Sequence, residues 1–292
     1  MSVEQGLVME LAFLPDGLLW CIAGVLGAVL GSFASVVIHR LPVMMERAWQ
    51  REHGLDVDQG DEDERYDLIA PGSSCPHCGS RIPAWFNIPV IGYVLLRGKC
   101  CACKAPISPR YPFLEVLGAI LAVSAMQHFG PGLAFIWALA FGISLLVLTF
   151  IDIDFRILPD CITLPLLWAG LILSVFSVFV DSNASILGAA LGYGAFWIVH
   201  QVFFRLTKKE GMGRGDFKLL AALGAWLGVS KLPCVILLSS VGGSLIGLIL
   251  IVSGLRTREE PIPFGPFLAA SGWLTLLAGD RLMSLYWSIA GF

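Results

Sequence analysis

Apolar residues fill long, nearly uninterrupted runs along this chain, and polar residues gather in the segments between them. A run of about 20 apolar residues is long enough to cross a bilayer as a helix, which satisfies its own backbone polar groups. The runs that fit this description cover 17–38, 112–129, 132–151, 162–180, 184–205, 216–230, 232–254 and 264–279. The pattern therefore predicts an all-α polytopic membrane protein with about eight transmembrane helices.

A long polar stretch separates the first two apolar runs. It divides the chain into an N-terminal segment with the first transmembrane helix (1–39), a small domain (40–111) and a transmembrane domain (112–292). Within the stretch, residues 55–67 include seven acidic residues and one basic residue. Such a run is typical of a solvated, mobile loop, and attraction of a basic substrate segment is the sharper alternative.

Composition and charge placement agree with a membrane protein. Charged residues make up 14% of the chain, against about 25% in soluble proteins. If all eight runs cross the bilayer, 17 Lys and Arg residues lie on the side of segment 39–111 and 2 on the other. Cytoplasmic loops carry the excess of positive charge, so we expect the N-terminus outside and residues 39–111 in the cytoplasm. The first 16 residues contain no basic residue, which predicts a retained anchor rather than a cleaved signal peptide.

Three local features predict details of the helices. Small residues recur at helical spacing in the first run, which suits close helix packing (Gly24, Gly27, Gly31 and Ala34). Pro42 follows that run and is expected to help end the helix. Asp160 precedes the fourth run and is expected to be its N-cap.

Two cysteine pairs lie in the polar domain. Cys75 and Cys78 form one C-x-x-C, and Cys100 and Cys103 form another 21 residues later, with Cys101 as an additional thiol. This pattern predicts a tetrathiolate zinc site, and four thiolates close the coordination shell, as in structural zinc sites. A reducing cytoplasm disfavours two disulfides instead. A small domain also gains stability from such a metal staple.

Two aspartates begin or end apolar runs at the border that the charge pattern makes cytoplasmic. Asp216 follows a glycine-rich turn that includes Gly213 and Gly215, and it opens the sixth run. Asp152 ends the third run, while Asp154 resembles a solvated loop charge. An ionisable group in a membrane segment is costly, which favours a functional role over a plain helix cap for Asp216. The sequence therefore predicts that Asp152 and Asp216 meet at one membrane depth.

Two neighbouring carboxylates are suited to aspartic peptide hydrolysis. They share a proton, so that one activates a water molecule while the other polarises the scissile carbonyl. The sequence contains no G-x-S-x-G or H-E-x-x-H motif, and the glycine-rich turn is not a phosphate-binding loop. A membrane aspartyl protease is therefore the first interpretation.

Several motifs together resemble the type IV prepilin peptidases, which are bifunctional leader peptidases and N-methyltransferases. The likeness covers nearly the whole chain, in GSFASVVIHRLP (31–42), CPHC and CCAC (75–103), NIPV (87–90), RYPFLE (110–115), IDIDFRILPDCITLP (151–165), GRGD (213–216) and PFGPF (263–267). The G-x-G-D motif also occurs in presenilin-like proteases, which lack the cysteine-bearing domain. Cys101 and Ala34 depart from the usual family pattern.

The resemblance implies a substrate, a second reaction and a location. The substrates would be prepilins or pseudopilins of a type IV pilus or type II secretion system, cleaved after a glycine at the cytoplasmic face of the bacterial inner membrane. S-adenosylmethionine would then donate a methyl group to the new N-terminal residue. The family's aspartate pair matches Asp152 and Asp216, its zinc ligands match Cys75, Cys78, Cys100 and Cys103, and Gly98 matches a position associated with methyl transfer.

Two alternatives stay open from the sequence. A peptidase without methyltransferase activity would use the same aspartates, although the cysteine domain is typical of bifunctional members. A cation transporter or zinc-stapled membrane scaffold would also carry acidic residues in its helices, but transporters favour midplane sites and internal repeats, which this sequence lacks. Nothing in the sequence indicates nucleic-acid binding.

Overall fold

A computed structural model describes residues 15–54, 66–208, 213–255 and 262–290. Its helices are α1 (Asp16–Glu52), α2 (Ile91–Leu95), α3 (Arg110–Phe129), α4 (Leu133–Phe155), α5 (Asp160–Val175), α6 (Ser182–Thr207), α7 (Arg214–Leu227), α8 (Leu232–Val252) and α9 (Gly265–Ala290). Short 3₁₀ turns occur at Ala84–Asn87 and Val229–Lys231. The described residues form no β-strand, only two isolated bridges. The acidic stretch and its suggested attraction for basic substrates lie almost wholly outside the described residues.

Each of the eight predicted apolar runs coincides with a helix, and the all-helical polytopic membrane class is confirmed. Five of the helices that the structure describes in full are long and apolar enough to cross a membrane: Asp16–Glu52, Arg110–Phe129, Leu133–Phe155, Ser182–Thr207 and the stretch Val229–Val252 that contains α8. Helix α5 is apolar but shorter. The total of eight crossings stays a prediction.

The chain forms two compact units, Met1–Ile143 and Ser144–Phe292. In the first unit, α1 packs along α3 through its small residues. A Cβ added at Gly27 would meet the carbonyl oxygen of Gly118, and one added at Gly118 would meet that of Gly27. The close packing predicted from the small residues of the first run is therefore confirmed.

Helix α1 does not end near Pro42, so that prediction was wrong. The helix continues to Glu52 with Pro42 inside it. A proline removes one helical hydrogen bond, and tertiary contacts can carry a helix through it. Here the Arg40 guanidinium donates to the carbonyl oxygens of Asp67 (2.9 Å) and Pro71 (2.6 Å). The guanidinium of Arg47 lies 4.6 Å from the centre of the Tyr66 ring, so the extension is bound to the polar domain.

Helix α7 is the core of the second unit. Nearly all of its residues from Asp216 to Leu227 are buried, and α5, α6 and α9 pack around it. Its 14 residues span about 21 Å, less than a hydrocarbon core of about 30 Å. The helix is therefore too short to cross the core along its axis, and its neighbours cover it on all sides. Gly188 of α6 and Gly224 of α7 pack backbone to backbone, each leaving no room for a Cβ on the other.

Asp160 does not cap α5, so the N-cap prediction was wrong. Pro159 is the N-cap residue, and Asp160 lies in the first turn of the helix. Its carboxylate accepts two hydrogen bonds of 2.7 Å from the Lys218 ammonium group on α7. Asp160 therefore pairs with Lys218 instead of capping α5. The pair holds the start of α5 against the start of α7.

Candidate active site and metal centre

Asp152 lies in the last turn of α4 and is only 6% exposed. Its Oδ2 accepts a hydrogen bond of 2.9 Å from the backbone N–H of Gly265, the first residue of α9. Asp154, two residues later, is exposed. Of these two neighbouring aspartates, Asp152 is therefore the one held inside the protein.

Asp216 lies in the first turn of α7 and is 8% exposed. Gly213 is the N-cap residue of that helix and accepts a hydrogen bond of 3.2 Å from the Asp216 N–H. The Oδ2 atom of Asp216 lies 3.5 Å from the place that a Cβ of Gly213 would occupy. The glycine-rich turn thus brings its own backbone against the carboxylate.

A chain of close contacts joins the surroundings of the two aspartates. Leu158, in the turn between α4 and α5, touches a glycine from each side. Its Cβ lies 2.8 Å from the position of a Cβ at Gly215, next to Asp216. A Cβ built at Gly265 would lie 3.2 Å from Leu158 Cδ2. The same Cβ would lie 2.6 Å from Asp152 Oδ2. Glycine is therefore needed at positions 215 and 265 because neighbouring side chains leave no room for a Cβ, and not because of the backbone φ.

The sequence did not assign roles to Gly265 and Leu158. One sequence feature could have pointed to Gly265: it lies between two prolines in Pro-Phe-Gly-Pro-Phe, at the start of an apolar run. Leu158 carried no signal, because a leucine beside a membrane helix is ordinary. The supporting glycines that the sequence did predict, Gly213 and Gly215, both lie at the start of α7.

Aromatic side chains follow Asp216 and precede Gly265 in the sequence, and each contacts rings of α6. The Phe217 ring lies 5.5 Å from His200 and 6.0 Å from Tyr193, measured between ring centres. Phe264, beside Gly265, lies 5.9 Å from Phe196. These ring contacts pack the start of α7 and the segment before α9 against α6.

The four predicted cysteines converge in the first unit. The Sγ atoms of Cys75, Cys78, Cys100 and Cys103 all lie within 4.8 Å of one another, and Cys101 is not among them. The two pairs form matching turns. The N–H of Gly79 donates to the Cys75 carbonyl, and the N–H of Lys104 donates to the Cys100 carbonyl. Both of these donor residues have positive φ, which folds each turn tightly around its sulfurs.

This cluster fits a tetrahedral zinc ion. Zinc–sulfur bonds of about 2.3 Å in a tetrahedron place the sulfurs about 3.8 Å apart. The Cys75 and Cys103 sulfurs are 3.8 Å apart. Backbone N–H groups of Cys103 and Ala102 lower the pKa of the Cys100 thiol to about 6, which favours the thiolate that a metal requires. At Cys103 the Ala105 N–H lowers the pKa, but burial and the neighbouring thiols outweigh it and raise the pKa to about 11. The residues present can therefore hold the ion as a closed, structural site.

Gly98, the residue matched to methyl transfer, lies one residue before the strand-like bridge at Lys99. It has a φ of +67°, and a Cβ there would lie 2.9 Å from the Tyr93 hydroxyl and 3.1 Å from the ring carbon that bears it. Its N–H donates to the Tyr93 carbonyl. Gly98 is thus a position at which both backbone conformation and the Tyr93 ring exclude a side chain.

Comparisons with known proteins identify the family of the chain. Residues 25–129 match the family described as bacterial peptidase A24 N-terminal domain, and residues 139–248 match the type IV leader peptidase family. The chain is 46% identical to an Aeromonas hydrophila protein named prepilin leader peptidase/N-methyltransferase, over 97% of this chain and 98% of that protein.

Proteins with the same name in two further organisms are similar to the chain over nearly their full length. The Burkholderia pseudomallei (strain K96243) protein is 45% identical over 95% of this chain and 91% of its own, and the Pseudomonas aeruginosa protein is 46% identical over 91% and 93%. No solved structure matched the chain. The chain belongs to the type IV leader peptidase family.

Proposed function

We propose that this protein cleaves the leader peptide from prepilins or pseudopilins and then N-methylates the new N-terminal residue. The observation that carries the peptidase half is the pair of buried carboxylates, Asp152 and Asp216, joined through Leu158 and two closely packed glycines. The names of relatives that align over the full chain support both halves. They favour neither a peptidase without methyl transfer nor a cation transporter.

In the cleavage step, one carboxylate is ionised and the other is protonated. The ionised carboxylate takes a proton from water as the water oxygen bonds to the scissile carbonyl carbon, and the protonated one donates its proton to the carbonyl oxygen. Collapse of the tetrahedral intermediate breaks the carbon–nitrogen bond, and the amine leaves with a proton from the dyad. The Gly265 N–H donates a hydrogen bond to Oδ2 of Asp152, so Oδ1 is the oxygen that would contact water or substrate.

The methyl-transfer step uses S-adenosylmethionine as methyl donor. The part of this chain that we assign to it is the segment around Gly98, where the glycine allows the Tyr93 ring to pack against the backbone. The tetracysteine cluster, with zinc bound to Cys75, Cys78, Cys100 and Cys103, would hold the two turns on either side of that segment. Zinc bound there would stabilise the fold of the segment, and its four thiolate ligands would leave no open position for catalysis.

We place the protein in the bacterial inner membrane with its N-terminus outside. The polar domain and both aspartates would then face the cytoplasm, where prepilin leaders of a type IV pilus or type II secretion system are exposed. The support is the distribution of Lys and Arg along the sequence.

A cleavage and methylation assay tests the proposal. Purified protein in detergent is incubated with a prepilin and S-adenosylmethionine, and mass spectrometry measures both the leader and the pilin N-terminus. We expect loss of the leader and a gain of one methyl group. A cleaved but unmethylated product would support the peptidase alone, and an intact prepilin would contradict both activities.

A further inference from the structure

The small domain of the first unit has an exposed apolar surface that neither the aspartates nor the zinc site explains. Five large apolar side chains within eleven residues are between 46% and 69% exposed: Trp85, Ile88, Ile91, Val94 and Leu95. We name this set the apolar patch. Soluble surfaces rarely carry so dense a group of apolar side chains, and such a group marks a site of interaction.

The apolar patch is a feature of the local fold rather than of loose chain. It covers the 3₁₀ turn Ala84–Asn87 and helix α2. Gly92, on the opposite side of α2, is buried, and a Cβ there would meet the carbonyl oxygen of Phe86. The turn and the helix are therefore packed backbone to backbone, and this packing directs the apolar side chains outward.

A hydrogen bond fixes the depth of the apolar patch relative to a membrane helix. The Val90 N–H, in the middle of the patch, donates to Glu115 Oε2 at 2.7 Å. Glu115 is 8% exposed and lies in the second turn of α3, about 8 Å along a helix whose 20 residues match the thickness of a bilayer core. The patch is therefore held beside the first turns of a helix that is long and apolar enough to cross a membrane.

The backbone conformation of Val90 indicates that the hydrogen bond to Glu115 holds the patch in place. Val90 has a φ of +61° and a ψ of −47°, the conformation of a tight γ-turn, which a β-branched residue rarely adopts. The buried Glu115 carboxylate accepts its N–H in that conformation. The exposed apolar residues of α3 on the same stretch, Phe113 and Val116, continue the apolar surface into the membrane helix.

Charge identifies the partner. Between Asp67 and Glu115 the sequence contains five Lys and Arg residues and no acidic residue. Three of these cations, Arg81, Arg97 and Lys99, are exposed and flank the apolar patch along the chain. An apolar surface that includes tryptophan and is bordered by cations suits the interface of an anionic bilayer. The same cations repel a basic peptide.

We infer that the apolar patch inserts into the lipid headgroup region of an anionic bilayer, so that the small domain is a membrane-surface element as well as a zinc-bound one. Glu115 is the positioning residue that holds the inserted turn at its depth. The inference rests on the membrane class of the chain and not on leader cleavage. Its failure and that of the proposed function are therefore distinguishable.

Photo-crosslinking in the full-length protein tests the insertion. The protein is reconstituted into phosphatidylethanolamine and phosphatidylglycerol vesicles with a photoreactive benzoylphenylalanine at Trp85 or Val94, and a matched variant carries it at the exposed Lys104 of the second cysteine turn. We expect lipid adducts at 85 and 94 at least about fivefold more often than at 104. Equal adducts at all three positions, or no lipid adducts at 85 and 94, would overturn the inference.

A second measurement leaves the protein unaltered. Phospholipids with a diazirine in the acyl chain are activated around the wild-type protein, and its tryptic peptides are mapped. Peptide 82–97 contains the whole apolar patch, and peptide 105–110 comes from the same domain without it. We expect labelling of 82–97 well above that of 105–110. Labelling of the two at the same level would contradict insertion, and cleavage activity enters neither experiment.

Discussion

The backbone N–H of Gly265 donates a hydrogen bond of 2.9 Å to Oδ2 of Asp152, across 113 residues of sequence. This contact ties the start of the last described helix to the end of α4. A Cβ at position 265 would lie 2.6 Å from that same oxygen, so glycine is required there by the carboxylate itself. The contact makes Gly265 a positioning residue of the proposed dyad.

Replacing Gly265 by alanine is expected to lower leader cleavage by about 100-fold. The added methyl group pushes Asp152 from its position, and a displacement of about 1 Å in an active site costs a rate factor of about that size. Initial cleavage rates with a prepilin measure the effect. Gly242→Ala is the control, since a Cβ there meets only Phe267 at an ordinary 3.7 Å. Equal rates for the two variants would contradict the assigned role.

Asp152→Asn and Asp216→Asn are each expected to lower cleavage by about 1,000-fold or more, because removing one member of a catalytic unit removes its joint action. Both variants should still insert into the membrane and bind zinc. Asp154→Asn is the matched control, since that carboxylate is exposed and two residues away. Near-normal cleavage by either buried variant, or loss in the Asp154 variant alone, would reassign the dyad.

The metal content of pure protein is expected to be about one zinc per chain. Cys78→Ser should remove most of it, since a tetrahedral structural site needs all four thiolates. Cys101→Ser should leave it intact, because Cys101 lies outside the cluster. Elemental analysis of both variants and of the wild type measures the ratio. Zinc retained in the Cys78 variant and lost in the Cys101 variant would exchange the two assignments.

Gly98→Ala is expected to reduce methylation much more than leader cleavage. Its Cβ would meet the Tyr93 hydroxyl at 2.9 Å, in a conformation with positive φ. Gly130→Ala separates the two causes, because Gly130 has the same φ of +67° and nothing within 4 Å of an added Cβ. Mass spectrometry of the processed pilin reports methylation and cleavage together. If both variants lose methylation equally, backbone strain and not the Tyr93 contact would be responsible.

Gly188→Ala is expected to lower the melting temperature of the protein in detergent by several degrees. The new methyl group would meet the carbonyl of Gly224 and separate α6 from the buried helix α7. Gly194→Ala, on the same helix, has nothing within 4 Å and should be neutral or slightly stabilising, since alanine favours helix by about 1 kcal/mol over glycine. A similar melting temperature for both variants would show that α6 and α7 adjust to the added group.

The sequence alone determined the features that repeat or cluster along the chain. Apolar runs located the helices because a membrane segment must be apolar over its whole length. The spacing of Cys75, Cys78, Cys100 and Cys103 selected four sulfurs that the structure brings within 4.8 Å, and it correctly set Cys101 apart from that group. Asp152 and Asp216 stood out because carboxylates are rare at such positions.

The tertiary structure decided what depends on contacts between distant segments. Pro42 was expected to end a helix, but Arg40 and Arg47 bind the chain beyond it, and Asp160 was expected to cap a helix but pairs with Lys218. The donor that holds Asp152 is a backbone N–H, which every residue except proline possesses, so no side-chain pattern distinguishes Gly265 as its source. Glycine is necessary there because the end of α4 and the start of α9 leave no room for a Cβ, and the two ends meet only after the helices have packed.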